Sequence, residues 1–352
     1  MRCAYAVLIS LLATSAIAAN DFVAKSDIST KNYNDLSSSN PDIPKDVADA
    51  IKAAANVKDV IPISGSESFA QQVVKSDEIV FDRGSHLVIK NLSAPWIAIA
   101  AKNIKFRDPI NYSFIERDYT ITSAPDGKNG ATGAKGPDDF GETNRRGNDG
   151  HPGGPGLAGS AGSSMPLPTI YIIAGKLLDD KNQEIPAGIL NLAVLARGVD
   201  GGMGGTGGRG GNGGHAGNGK EGASGGFDCK EGPGPGGNGG VAGMGGPGGP
   251  GGAGSDGGTI IFVSLKQGAE TFTYARVNNQ GGIGGIGGRG GPPGSPGAGG
   301  GGAGRNGWCG PSGPGSPGTY PSPVNYGDGK NGPDGKKGEM RVISVPNIDI
   351  FF

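Results

Sequence analysis

The sequence predicts a mainly β, partly irregular fold: a β-strand or β-solenoid-like base carrying three projecting glycine-rich lobes of packed polyglycine II helices. Three observations carry that expectation. Glycine supplies 74 of 352 residues, against roughly 7% in ordinary proteins, and all of them except Gly65 and Gly84 lie beyond residue 126. Short, alternating apolar runs precede and separate the glycine-rich stretches. The stretch 201–211 (GGMGGTGGRGG) returns at 281–291 (GGIGGIGGRGG), an offset of 80 residues that Cys229 and Cys309 share.

In chain order, residues 1–19 read as a signal peptide. Arg2 precedes an apolar run from Ala4 to Ala18, and Ala16-Ile17-Ala18 fits a small-x-small cleavage pattern. The run is short for a bilayer span, so the expectation is an exported protein: extracellular, at the cell surface or periplasmic. Residues 20–76 form an N-terminal arm and one short helix at 44–56, where Pro44 suits the first turn and Val47, Ala50, Ile51, Ala54 and Ala55 make an apolar face. Residues 77–126 form a strand domain with runs at 78–81, 86–89, 96–100 and 103–106. Residues 127–352 hold lobes at 127–163, 201–258 and 281–338. Strands at 189–196 and 270–277 lead into the second and third lobes. Strands at 169–174, 259–263 and 339–345 follow the three in turn.

Glycine at every third position suits a three-residue-per-turn extended helix with no internal hydrogen bonds. Its N–H and C=O groups then need lateral partners. Either three chains wind together as collagen, or segments of one chain pack side by side. The first lobe holds Gly-X-Y runs at 127–138 and 147–164 that residues 139–146 interrupt, and Ala216 and Pro293 break the phase later. The Gly-Gly-X triplets of the later lobes favour the bundle, because an interior helix has no room for a second Cβ. Met203, Thr206, Arg209 and Asn212 then line an outward edge. Disorder is set aside because strands re-enter after each lobe and the repeat keeps its length.

On runs such as 201–214 and 281–291, residues 127–338 resemble the polyglycine II lobes of tail-fibre tip adhesins of T-even-like phages, and also glycine-rich antifreeze proteins built from such helices. The resemblance spans about 60% of the chain and implies lobe geometry. The signal peptide and strand-rich first region depart from the phage pattern, and no individual functional residue carries over.

The most informative side chains fall away from the strands. They are Phe140 with Glu142, Arg145 and Arg146; Phe227 with Asp228, Lys230 and Glu231; and Trp308, Tyr320 and Tyr326. Aromatic and charged residues on loops held by a scaffold are the usual form of a binding surface, here for a surface glycan or protein ligand. The other reading is a small tip core around a disulfide. Cys229 and Cys309 are the cysteines that remain after signal removal, and in an oxidising compartment they are expected to pair.

His86, His151 and His215 share no ligand spacing with the cysteines, so no metal and no cofactor is expected. Residues 251–259 (GGAGSDGGT) match a calcium nonapeptide only in part, since Gly258 stands where a large apolar residue belongs. A net charge of −1 gives no reason to expect nucleic acid. No paired carboxylates at a credible site and no nucleophile elbow suggest an enzyme, and no membrane span is expected. The expected function is a secreted or surface-exposed, non-enzymatic structural and adhesion protein. The alternatives are a collagen-like trimeric matrix protein and an ice- or mineral-binding surface. Oligomeric state is left open.

Overall fold

The computed structural model describes residues 29–32, 43–108 and 111–352; the expected signal peptide and most of the expected arm lie outside the described residues. Strand β1 (Ser29–Asn32) and helix α1 (Lys45–Ala53) precede β2 (Val60–Ile63), β3 (Ser66–Phe69), β4 (Val73–Phe81), β5 (His86–Ile89), β6 (Trp96–Phe106) and β7 (Ser113–Arg117). The first glycine-rich stretch contains the short pair β8 (Glu142–Thr143) and β9 (Arg146–Gly147), and β10 (Thr169–Leu178) and β11 (Leu192–Leu195) follow it. The second contains β12 (Ala223–Ser224) and β13 (Cys229–Glu231) and leads to β14 (Ile260–Ser264), helix α2 (Lys266–Phe272) and β15 (Arg276–Asn278). The third returns to β16 (Met340–Ser344).

The chain alternates between two sheets. One has seven strands in the order β1-β16-β14-β10-β6-β4-β2, the other five in the order β15-β11-β7-β5-β3. Every pairing within both is parallel. Each pass from one sheet to the other is one rung, laid directly on the rung before.

Side-chain alternation explains why the larger sheet is buried on both faces. Ile97, Ile99, Ile170, Ile172, Ile260 and Phe262 face the second sheet. Their neighbours Ala98, Ala100, Tyr171, Ile173, Ile261 and Val263 face outward, against Val47, Ala48 and Ile51 of α1 and Phe351. Full burial of one such isoleucine contributes about 1.5–3 kcal/mol. Helix α1 follows Pro44, with Asp46 in its first turn and Lys52 in its last, both matched to the helix dipole.

Two strand expectations change. The runs at 96–100 and 103–106 are one strand, β6. The strand expected at 270–277 begins on the end of a helix: α2 ends at Phe272, a turn follows, and only Arg276–Asn278 is β. The smaller sheet stops at β15 while the larger continues to β16. Ala269 and Phe272 of α2 therefore join the cluster that includes Met340 and Val342, with Phe272 stacked 4.6 Å from Phe262.

The expected class is corrected. The framework is two all-parallel sheets with helices packed on them, an α/β-like arrangement, and not a lobed polyglycine II solenoid. Nor do the glycine-rich stretches stand out as three separate lobes. Each runs out as an extended segment and returns, and its backbone bonds to the stretch of the next rung. Gly127 N–H donates to Met203 O at 2.7 Å, Gly130 to Thr206 O at 2.8 Å, and Gly201 to Ile283 O at 2.8 Å. The returning segments join in the same way, Gly156 to Met244 O and Gly251 to Lys330 O, both at 2.9 Å. Outgoing and returning segments are also bonded to each other, Leu157 to Ala131 O at 2.9 Å and Gly249 to Gly205 O at 2.8 Å. An isolated lobe would leave half of these donors unpaired, and joining rung to rung pairs them.

Contact is backbone on backbone. A Cβ built on Gly208 would lie 1.9 Å from Ala131 O. The outward row is side-chain bearing, and Asp or Asn residues of one stretch cap N–H groups of the next: Asp126 Oδ1 accepts from Met203 at 2.7 Å, Asn129 Oδ1 from Thr206 at 3.0 Å, and Asp200 Oδ1 from Ile283 at 2.8 Å. Where the first two stretches leave the smaller sheet, buried Arg117 pins them. Its guanidinium donates to Asp118 O, Ile121 O and Arg197 O at 2.9, 2.8 and 2.5 Å and lies 4.2 Å over the Tyr119 ring. Burial holds its pKa below the usual guanidinium range.

Candidate functional site

The far ends of the three stretches come together. At the first, β8 and β9 are joined through Asn144 (φ 49°) and Arg145 (φ 72°). Two successive left-handed residues suit the right-handed twist of a tight hairpin, though arginine rarely adopts that conformation. The side chain compensates by forking into the second stretch. Arg145 Nε donates to Gly232 O at 2.9 Å, and its terminal nitrogens reach Glu221 O and the Glu231 carboxylate. The Arg145 carbonyl accepts the Lys220 N–H at 2.9 Å, and the Lys220 ammonium meets Glu142 at 2.9 Å.

The second end is the β12–β13 hairpin, closed by Gly225 N–H to Asp228 O at 2.7 Å. The third is the turn at 306–309, where the Cys309 N–H donates to Asn306 O at 2.9 Å. These two ends are joined covalently: Cys229 and Cys309 form a disulfide with their Cα atoms 4.8 Å apart, across a sequence separation of 80. Trp308 N–H donates to Ser224 Oγ at 3.0 Å, its indole Nε1 donates to Gly226 O at 3.1 Å, and Asn306 Nδ2 donates to Gly222 O at 2.9 Å.

The aromatic residues at these ends do not form a core around the disulfide. Phe227 is 92% exposed, Phe140 72% and Trp308 61%. Trp308 and Phe227 flank the same hairpin turn, Phe140 stands on the first end, and Cys309 alone is fully buried. Tyr320 and Tyr326 are exposed too, but they lie along the returning segment of the third stretch, beyond the tip. Ser224, Asn306 and Lys220, which tie the ends together, carry no sequence signal: their partners are 84, 84 and 75 positions away or more, and they are ordinary polar residues.

Beside the first end lies an open groove of about 430 Å³ lined by Thr143, Asn144, Arg146, Gly147, Asn148 and Asp149, spanned by an Arg146–Asp149 ion pair at 2.8 Å. The Lys135 ammonium and then the His215 N–H lower the Asp138 pKa, while the Gly141 N–H and then the Asn148 amide lower that of Asp139. Both are carboxylates held charged at neutral pH. Among the described residues no group of three or more His, Cys, Asp or Glu side chains could hold a metal ion. Asp256 of the partial calcium motif accepts the Lys336 N–H at 2.7 Å. Among the described residues no helix is long and apolar enough to cross a membrane.

No protein-family model matches the chain, and no curated protein does. Among solved structures, the chain shows a faint similarity to the nine polyproline type II helical bundle antifreeze protein of the springtail Granisotoma rainieri. The two are 26% identical over 49% of this chain and 93% of that one, with a TM-score of 0.10. A score that low establishes no common fold.

Proposed function

We propose that the chain is an exported, surface-exposed structural and adhesion protein that works without catalysis, displaying a binding surface on its joined tips. The observation that carries this reading is Trp308. Its indole N–H is already bonded to Gly226 O, so the exposed ring offers its face, and the hairpin beneath it is fixed by the disulfide and by Arg145. A pre-organised aromatic face loses little entropy on contact with a glycan or protein surface. A collagen-like trimer is the weaker reading, because the glycine N–H groups it would direct to other chains are bonded within this one.

The test is retention of labelled protein on a panel of surface polysaccharides and extracellular proteins, comparing wild type with a Phe227→Ala/Trp308→Ala variant. Loss of saturable retention by tenfold or more, about 1.4 kcal/mol, supports the reading if thermal melting is unchanged. Equal retention by a folded variant removes the tip from consideration. Export has its own check, since intact mass of secreted protein is expected to lack residues 1–19.

A further inference from the structure

We propose that the last glycine-rich rung carries a built-in stop against addition of a second copy of this chain, and that the first rung is the matching edge that makes the stop necessary.

The lateral bonds run in one direction. In each rung every third residue donates its N–H to the next rung: Gly127 and Gly130 in the first stretch, Gly201, Gly204 and Gly213 in the second. The first rung therefore exposes the complementary row. The carbonyls of Asp126, Asn129, Thr132 and Lys135 occupy the phase in which Met203, Thr206, Arg209 and Asn212 accept, and among the described residues no donor reaches them. The third rung has the opposite ending, a row of donors with no following rung.

Much of that donor row is closed by two devices, which Gly281, Gly299 and Gly302 in the same phase do not share. At Gly284, Gly287 and Gly290 the N–H groups are capped by Asp334 Oδ1, Asn331 Oδ1 and Asp328 Oδ1 at 2.7, 2.9 and 2.7 Å. Farther out the same phase is occupied by Pro293 and Pro296, followed by inward-bonded Gly294 and Gly297. Proline has no N–H to offer. The outer part of the returning segment repeats the device: Pro314 and Pro317 stand just before Gly315 and Gly318, which bond inward to Gly300 O and Gly297 O, both at 2.9 Å, whereas Asp328, Asn331 and Asp334 hold the same phase nearer the sheets.

In the second stretch the equivalent positions are free to be glycine or alanine and donate: Gly213 to Ser295 O at 2.9 Å and Ala216 to Ala298 O at 3.0 Å. In this donor phase, side-chain caps and proline fall only in the rung that has no successor, while the caps between earlier rungs sit on the neighbouring phase, the same pattern by which sheet proteins guard exposed edges. A donor row left open would meet the acceptor row of another copy at the same three-residue spacing. Such a heterologous contact does not close on itself and propagates as a filament.

The experiment uses the full mature chain and two variants. One removes the caps (Asp328→Ala, Asn331→Ala, Asp334→Ala), all on exposed side chains. The other adds Pro293→Gly, Pro296→Gly, Pro314→Gly and Pro317→Gly. Mass is followed by light scattering against concentration, with circular dichroism as the check on folding. The expected result is a constant mass for wild type, a mass rising at least twofold with concentration for the combined variant, and a smaller rise for the cap variant alone. Rows joined in this way would also be saturated by excess wild type, whose free acceptor row stops growth at a short chain. A folded cap variant and a folded combined variant that both stay at the wild-type mass overturn the proposal. So does a wild type that already polymerises.

Discussion

The sheet framework and the glycine-rich body stack the same rungs in the same order, yet they hold together by different means. Where β10 meets β14, Ile172 stands in register with Phe262 and both are fully buried, so a side-chain core backs the backbone ladder. Where residues 201–219 meet 283–301, backbone packs on backbone with polar caps such as Asn212 Oδ1 on the Ser295 N–H at 2.9 Å, and the side chains at Met203, Ile283 and Ile286 face solvent. One region tolerates changes of volume because side chains can repack. The other has nothing to move out of the way. A glycine-rich chain cannot bury enough apolar surface to offset ordering; this one adds lateral hydrogen bonds and is anchored to a conventional core at both ends of every excursion.

Four measurements would break or sharpen that contrast. Replacing Cys229 and Cys309 with serine should have the largest effect, about 4–5 kcal/mol on a loop-entropy basis, read in denaturant unfolding. An intact-mass spectrum of wild type should show no reactive thiol before reduction. Next, Gly208→Ala should cost about 3 kcal/mol, because its Cβ would sit 1.9 Å from a carbonyl, whereas Ile172→Val in the framework should cost only about 1 kcal/mol. If the two prove equal, the backbone-packed region is more compliant than its contacts imply.

A third and smaller effect is acid sensitivity. Burial would raise the Asp118 pKa, but bonds from Thr120 and the Lys90 ammonium outweigh it and hold the carboxyl at about 2. A depressed carboxylate contributes stability above its unfolded pKa of roughly 3.9 and loses it as pH falls toward the folded value. Unfolding monitored between pH 5 and pH 2 should therefore show a decline that Asp118→Asn flattens. The smallest effect is expected at Gly310→Ala, where nothing lies within 4 Å of the new Cβ; melting should shift by less than about 0.5 kcal/mol.

Much of the framework was legible in the sequence. Alternating runs marked β5 at its observed bounds and parts of β4, β6, β10, β14 and β16, and the apolar face at 44–56 marked α1. The shared 80-residue offset placed the disulfide, because rungs of equal length bring equal positions side by side. What was not legible follows from the chemistry of glycine. Its N–H announces no partner, so nothing in GGMGGTGG distinguishes a free-standing lobe from one rung of a joined body. Proline at 293 looked like a broken phase and is a position on an outer edge. The end of α2 fell inside the run Glu270 to Val277, read as an apolar strand; the need to cover β16 decided otherwise. At the tips, the aromatics and Arg145 could be found by composition, while Lys220, Ser224 and Asn306 act across some 80 residues and leave no local pattern.

The disulfide also bears on how this protein would meet a protease. Lys230 and Arg305 are exposed near the tips, and both lie between the paired cysteines at 229 and 309. A trypsin-like cut at either one opens the chain inside a covalent loop. The two pieces stay attached, each still seated in its own rungs. On a non-reducing gel the nicked molecule would run as one band, and only reductant would separate it into two. An exposed tip can thus be clipped by a hostile environment without the molecule coming apart.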